Sequence, residues 1–184
     1  CETFGLRMAE ERQLSDYGPI SLLLAHQPSM RDVVMTLIRY QRMLNEALLL
    51  QSEAHRDDVV VIREEIVTGV PQRMRQAYEL AIGTRVLIFR GAIGPRLKPL
   101  TVHFAHAAPS DPSVHHRLFG PIVEFSSGFN GVTCRRDDFD GLSPTADPAL
   151  PPHAERFIGA LPYATEVSLA AEVQKAIQVL LPFN

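Results

Sequence analysis

Apolar residues return along this chain at two different periods, and each change of period marks the edge of an element. Met30, Val33, Val34, Leu37, Ile38, Leu44 and Leu48 fall three and four apart. That spacing predicts a helix from Ser29 to about Asn45 with a single buried stripe. The Ser29 hydroxyl stands where it can accept from the free amides of the first turn. Ahead of it the pattern predicts a short helix over 4–12, a turn over 14–19 and an apolar helix over 20–26 that stops before Pro28. Residues 47–53 and 58–67 are β-rich and flank the polar run His55-Arg-Asp-Asp, which predicts a hairpin. Its second strand contains Val59-Val-Val-Ile-Arg, apolar on both faces, as a central strand would be.

Pro71 is placed to open a second long helix that Gly91 or Gly94 ends. Beyond it come a strand over 97–106, a short helix over 112–120, and short strands over 122–125 and 131–136. Residues 142–152 read as a Pro-rich surface connection, and 168–181 as a last helix with Leu169, Val173, Ile177 and Leu180 on one stripe. Strands joined by short turns are expected to pair antiparallel. The expected fold class is therefore α+β, a single domain with a mostly antiparallel sheet packed against several helices.

Composition narrows the function. A chain of 184 residues, 46% hydrophobic and 21% charged, has the makings of one ordinary domain with a substantial core. Its formal charge of −3 argues against gripping a phosphate backbone, which needs a clustered cationic excess. Only Cys1 and Cys134 are present, so a disulfide framework is not expected and a reducing cytosol is the default. No apolar run approaches the roughly 20 residues that span a bilayer, and the start Cys1-Glu-Thr-Phe-Gly-Leu-Arg carries no signal-peptide core. These features lead us to expect a cytoplasmic protein with no membrane partner. Without an initiator Met, the sequence also reads as a piece cut from something longer at both ends.

Seven histidines raise the question of a metal, and His103-Phe-Ala-His106 with His115-His116 is the evident group. Residues three apart on a strand point to opposite faces, whereas zinc needs three or four converging ligands. Surface or capping histidines are the expectation, with no metal and no cofactor. Cys134 lacks a glycine elbow and an orienting third group, so a packed strand thiol is expected rather than a nucleophile. Asp137, Asp138 and Asp140 lack the alternating oxygens of a calcium loop and read as a solvated turn. A helix-turn-helix over 18–31 is disfavoured, because its second helix presents a wide apolar stripe instead of basic side chains.

Polar residues inside apolar stripes say more. In the helix after Pro71, Arg85 falls among Met74, Tyr78, Ala81, Ile82, Ile88 and Phe89. Gln41 and Asn45 interrupt the earlier stripe one turn apart. Buried guanidinium and amide groups require partners. Two readings fit. Arg85 pairs with Glu64 or Glu65 while the amides cap strand edges, or Arg85, Tyr78, Gln41 and Asn45 line a pocket for a small polar or anionic molecule.

The order of short motifs then carries a likeness. Phe4-Gly-Leu-Arg-Met-Ala-Glu, Gly18-Pro-Ile-Ser-Leu-Leu-Leu, Leu37-Ile-Arg-Tyr-Gln-Arg-Met-Leu-Asn45, Val102-His-Phe-Ala-His-Ala-Ala-Pro109, Leu118-Phe-Gly120 and Leu142-Ser-Pro-Thr-Ala-Asp-Pro148 follow one another over nearly the whole chain. In that order and spacing the chain resembles the N-terminal, arabinose-binding-like ligand domain of AraC/XylS transcription regulators. It departs from the pattern at Pro121, where a Cys often stands, and around Thr133-Cys134-Arg135, where an apolar residue is usual. The resemblance implies an effector-binding sensor domain over 1–166, shortened at its N-terminus. It further implies a linker or dimerisation helix over 167–184 that leads to a helix-turn-helix domain outside this sequence. The implied partners are a small-molecule effector, a second copy in a homodimer, and DNA only through that further domain. A small hydrolase-like enzyme, or a dimerisation domain that binds nothing, are the alternatives.

Overall fold

The predicted hairpin forms the first two strands of a five-stranded sheet whose order is β1-β2-β5-β3-β4. The protein is represented by a computed structural model that describes residues 2–55, 58–67, 74–94, 99–143, 146–147 and 149–160. β1 (Leu48–Ala54) and β2 (Val59–Ile66) pair antiparallel with Leu50 opposite Glu64 and Ser52 opposite Ile62. β2 then takes β5 (Gly131–Arg135) on its other edge, which makes it an interior strand as its apolar run predicts. Gly131 opens β5 with φ 154°, and a side chain there would collide with the carbonyl oxygen of Ile62. A glycine is needed for the two strands to approach.

β3 (Thr101–Phe104) lies between β5 and β4 (Val123–Phe125). It runs antiparallel to β5 but parallel to β4, because the connection to β4 crosses over through a helix. The expectation that short turns join antiparallel neighbours fails between β4 and β5, since β3 is inserted between them. β3 is also shorter than expected. Its ladder stops at Phe104 because the amide of Ala105 donates to the Asn130 side chain, at 2.9 Å, instead of to a strand. The sheet is mixed and mostly antiparallel, and with its helices it makes the α+β fold the pattern predicts.

The helices are α1 (Phe4–Glu10), α2 (Ile20–Ala25), α3 (Met30–Arg39), α4 (Gln41–Leu44), α5 (Arg75–Ile93), α6 (Ser113–Phe119), α7 (Arg136–Asp140) and α8 (Leu150–Gly159), with a 3-10 turn at Leu14–Tyr17. Ser29 caps α3 as expected, its hydroxyl accepting from the Asp32 amide. The single helix expected to reach Asn45 is broken at Tyr40, whose backbone leaves the helical region. That break lets Leu48 leave the helical stripe and enter β1. α8 forms where a bare connection was expected, with prolines in its first turn, where no amide donor is required. The aspartates expected in a solvated turn form α7 instead, and Asp140 pairs with Arg31 at 2.7 Å. The helix expected over 168–181 and the domain boundary at 166 lie outside the described residues, as does Pro71.

α5 is the hub. Ile82, Val86, Ile88, Phe89 and Ala92 are all buried, and the core continues through Leu6 of α1, Val33 and Leu37 of α3, and Val102, Phe104 and Val132 of the sheet. α1 lies unusually close against it. A side chain on Gly5 would strike the Gln76 carbonyl oxygen, and one on Gly83 would meet the Ala9 methyl at 2.8 Å.

Candidate ligand pocket

A cavity of about 390 Å³ opens between the 3-10 turn, α4, the start of β1, the end of β2 and the middle of α5. Its volume falls in the range of small-molecule sites. The walls are mainly apolar, with Met43, Leu44, Leu48, Ile66, Leu80 and Ile88 prominent, while Arg12, Asp16, Asn45, Thr84 and Arg85 supply polar groups. Space exists here because α5 presents Ala77, Ala81 and Thr84, all short side chains, along one face. Arg12 and Asp16 are exposed, so opposite charges stand at the rim. Burial pushes the Tyr17 phenol above its ordinary pKa, although Arg85 and a hydrogen bond with Thr84 act against that rise.

Of the residues expected to bind a ligand, the structure brings two into this wall, Arg85 and Asn45. Both already have protein partners. Arg85 Nε donates to Glu64 Oε1 at 2.6 Å in an ion pair that is almost wholly buried, and Glu64 Oε2 has no hydrogen-bond partner among the described residues. Asn45 Oδ1 accepts from the Ala47 amide at 2.9 Å. Gln41 and Tyr78 are not lining residues. Gln41 Oε1 accepts from the Leu50 amide at 3.0 Å, and Tyr78 donates to Glu65 Oε2 at 3.1 Å while accepting from the Ile66 amide. Burial raises the Tyr78 pKa. These two side chains fix the strand ends that border the cavity.

The sequence reading passes over Arg12, Asp16, Tyr17 and Thr84. The signal that would find the site is the run of short residues Ala77, Ala81 and Thr84 at helical spacing, a face with too little side chain to fill its own contact.

A second polar group is buried on another side of α5. Glu79 is fully buried, with His115 Nε2 at 3.1 Å, Arg75 Nε at 2.9 Å and His106 Nε2 at 3.5 Å from its Oε1. Burial alone would raise the Glu79 pKa, and the hydrogen bonds from His115 and Arg75 hold it below the usual carboxylate value. The expectation of surface or capping histidines is corrected for this pair and for His103. His106 falls past the end of β3, so strand alternation does not govern it, and His115 is fully buried on the inner face of α6. His103 is buried in β3 and stacks on Phe129. His116 is exposed. Cys134 is a packed strand thiol as expected, and burial pushes its pKa up to about 12.

Comparison with known proteins decides the family. Residues 1–141 match the family described as the arabinose-binding domain of AraC transcription regulator, N-terminal. The chain belongs to this family. An arabinose-binding domain of this kind is a regulatory, ligand-binding fold rather than a catalytic one. Among solved structures, the crystal structure of the transcriptional regulator CdpR from Pseudomonas aeruginosa is similar at TM-score 0.68 and 15% sequence identity. The match covers 96% of this chain and 58% of that one, so this chain spans little more than half the length of the regulator it resembles. A search of curated proteins finds no match. No helix among the described residues is long and apolar enough to cross a membrane.

Proposed function

We propose that this arabinose-binding domain is the effector sensor of an AraC-type regulator, and that its effector occupies the cavity between α4, β1 and α5. The observation that carries the reading is a ligand-sized apolar cavity, rimmed by Arg12 and Asp16, in a chain of a ligand-binding regulatory family. Because Glu64 already neutralises Arg85, the cavity favours a molecule with an apolar body and a hydrogen-bonding head over one that needs a free guanidinium. Arg85 and Asn45 would meet it directly, whereas Tyr78 and Gln41 would hold the bordering strand ends in place. Dimerisation and control of a DNA-reading domain complete the proposal. An effector acts through unequal affinity for two arrangements of the dimer, typically worth about 1–3 kcal/mol.

A thermal-shift screen of this chain against a metabolite library tests the reading. A binder at a hundred times its Kd stabilises the native state by about 2.7 kcal/mol. Ala81→Phe should fill the cavity without removing a charge and abolish the shift. A binder whose shift survives Ala81→Phe would place the effector elsewhere, and a domain that responds to no metabolite would favour a purely structural dimerisation role.

A further inference from the structure

The cluster around Glu79 has the spacing of a ligand set. One donor atom from each of Glu79, His106 and His115 lies within 4.8 Å of the others. Ligands held at 2.0–2.2 Å from a tetrahedral ion stand about 3.4 Å apart. Glu79 Oε1 is 3.1 Å from His115 Nε2 and 3.5 Å from His106 Nε2, so two of the three separations already fit.

The protonation pattern points the same way. His106 Nδ1 lies 2.9 Å from the Ala107 carbonyl oxygen, a contact that requires the ring proton on Nδ1. In the neutral ring Nε2 is then a bare lone pair. It is buried, has no hydrogen-bond partner among the described residues, and faces a carboxylate oxygen. Two facing lone pairs repel, and a cation between them turns the repulsion into two bonds. A carbonyl holding Nδ1–H is also the usual way a protein fixes a metal-binding imidazole. His115 Nε2, by contrast, donates to Glu79 Oε1 at 3.1 Å. An ion at Nε2 has to displace that proton, which leaves to solvent or moves to the buried Nδ1, a nitrogen without a partner among the described residues.

We infer that Glu79 Oε1, His106 Nε2 and His115 Nε2 bind a zinc-class divalent ion, with water in the fourth position. Two imidazoles and one carboxylate suit zinc, cobalt, nickel or copper, and do not suit calcium or magnesium, which take oxygen donors. Arg75 competes for the same oxygen. Its other nitrogens already lie 3.2 Å from the Glu2 carbonyl oxygen and 3.9 Å from the Glu2 carboxylate, so it has an alternative anion when the metal enters. The bound ion would tie α5, the exit of β3 and α6 together from three separate stretches of chain.

The test titrates the chelator-stripped, dialysed chain with zinc chloride by calorimetry and with cobalt chloride by visible absorption. One equivalent should bind, the cobalt form should show strong tetrahedral ligand-field bands, and zinc should raise Tm. His106→Ala and His115→Ala should each weaken binding by more than the roughly 10–100-fold that outer-shell changes cost. Arg75→Ala should tighten it, and His116→Ala should leave it unchanged. Where circular dichroism shows that His115→Ala fails to fold, His106→Gln, at the partly exposed end of the trio, carries the test. Absence of binding in molar excess of zinc, or binding that survives substitution of His106, overturns the site.

Discussion

Arg85 and Glu64 bring two opposite charges into the interior together, and neither belongs there alone. Removing one partner of such a pair leaves an uncompensated buried charge and costs about 3–5 kcal/mol, whereas replacing both with apolar groups is often near neutral. Arg85→Met should therefore strongly lower the urea midpoint, and adding Glu64→Leu should recover most of the loss. A double variant no more stable than Arg85→Met would show that the pair is not the source of the cost. Cys134 permits a second check at this scale. Its pKa is raised to about 12 from an ordinary 9.0, so folding stability is fully present below that ordinary value and is lost as pH rises toward the folded one. Cys134→Ala should flatten the fall in stability over that alkaline window relative to the parent chain, and in the native parent the thiol should resist alkylation at pH 8. Rapid native alkylation at Cys134 itself, read apart from Cys1 by peptide mapping, would contradict its burial. Arg85 was legible in the sequence because a charge inside an apolar stripe stands out, and its pairing with Glu64 was one of two partners the spacing allowed. Glu79 was not legible, because the stripe built on Met74 and Tyr78 hides a second buried face of α5. A helix buried on two sides cannot be told from one buried on a single side until its neighbours are placed.

At the scale of elements, the contact between α1 and α5 depends on residues defined by what they lack. Gly83 would gain roughly 0.8–1 kcal/mol of helix propensity on becoming alanine, yet the added methyl would meet the Ala9 methyl at 2.8 Å. Crowding should win with a larger side chain. Gly83→Leu is expected to cost about 1–3 kcal/mol, the usual range for overpacking, read as a lower urea midpoint at unchanged slope. A stability equal to the parent would mean that α1 shifts freely, and the close docking would lose its significance. Most helices and four of the five strands were legible near their observed positions because period and capping are local signals, Ser29 being the clearest. The break at Tyr40 and the end of β3 were not. Gln41, just after the break, reaches the Leu50 amide, and Asn130 takes the Ala105 amide, so both boundaries involve contacts that periodicity along a single element does not reveal.

For the whole molecule, the mixed sheet order and the crossover through α6 followed from no local pattern, and the family was legible only because six weak motifs keep their order. The same scale bears on where DNA would be read. Affinity for duplex DNA comes largely from cations that displace condensed counterions, with an exponent near 0.9 per phosphate neutralised. This chain has 18 Lys and Arg against 21 Asp and Glu. Several of its arginines are also engaged in ion pairs: Arg31 with Asp140, Arg39 with Glu155, Arg85 with Glu64 and Arg117 with Glu10. A cation already paired to a carboxylate must give up that partner before it can meet a phosphate, which cancels much of the gain. Selection of this chain against a random duplex library should therefore enrich no sequence at moderate salt, and any residual retention should be the same for unrelated duplexes. Enrichment of a defined site, with affinity falling steeply as salt rises, would place a DNA-reading surface within these residues and reject the division between sensing here and DNA binding elsewhere.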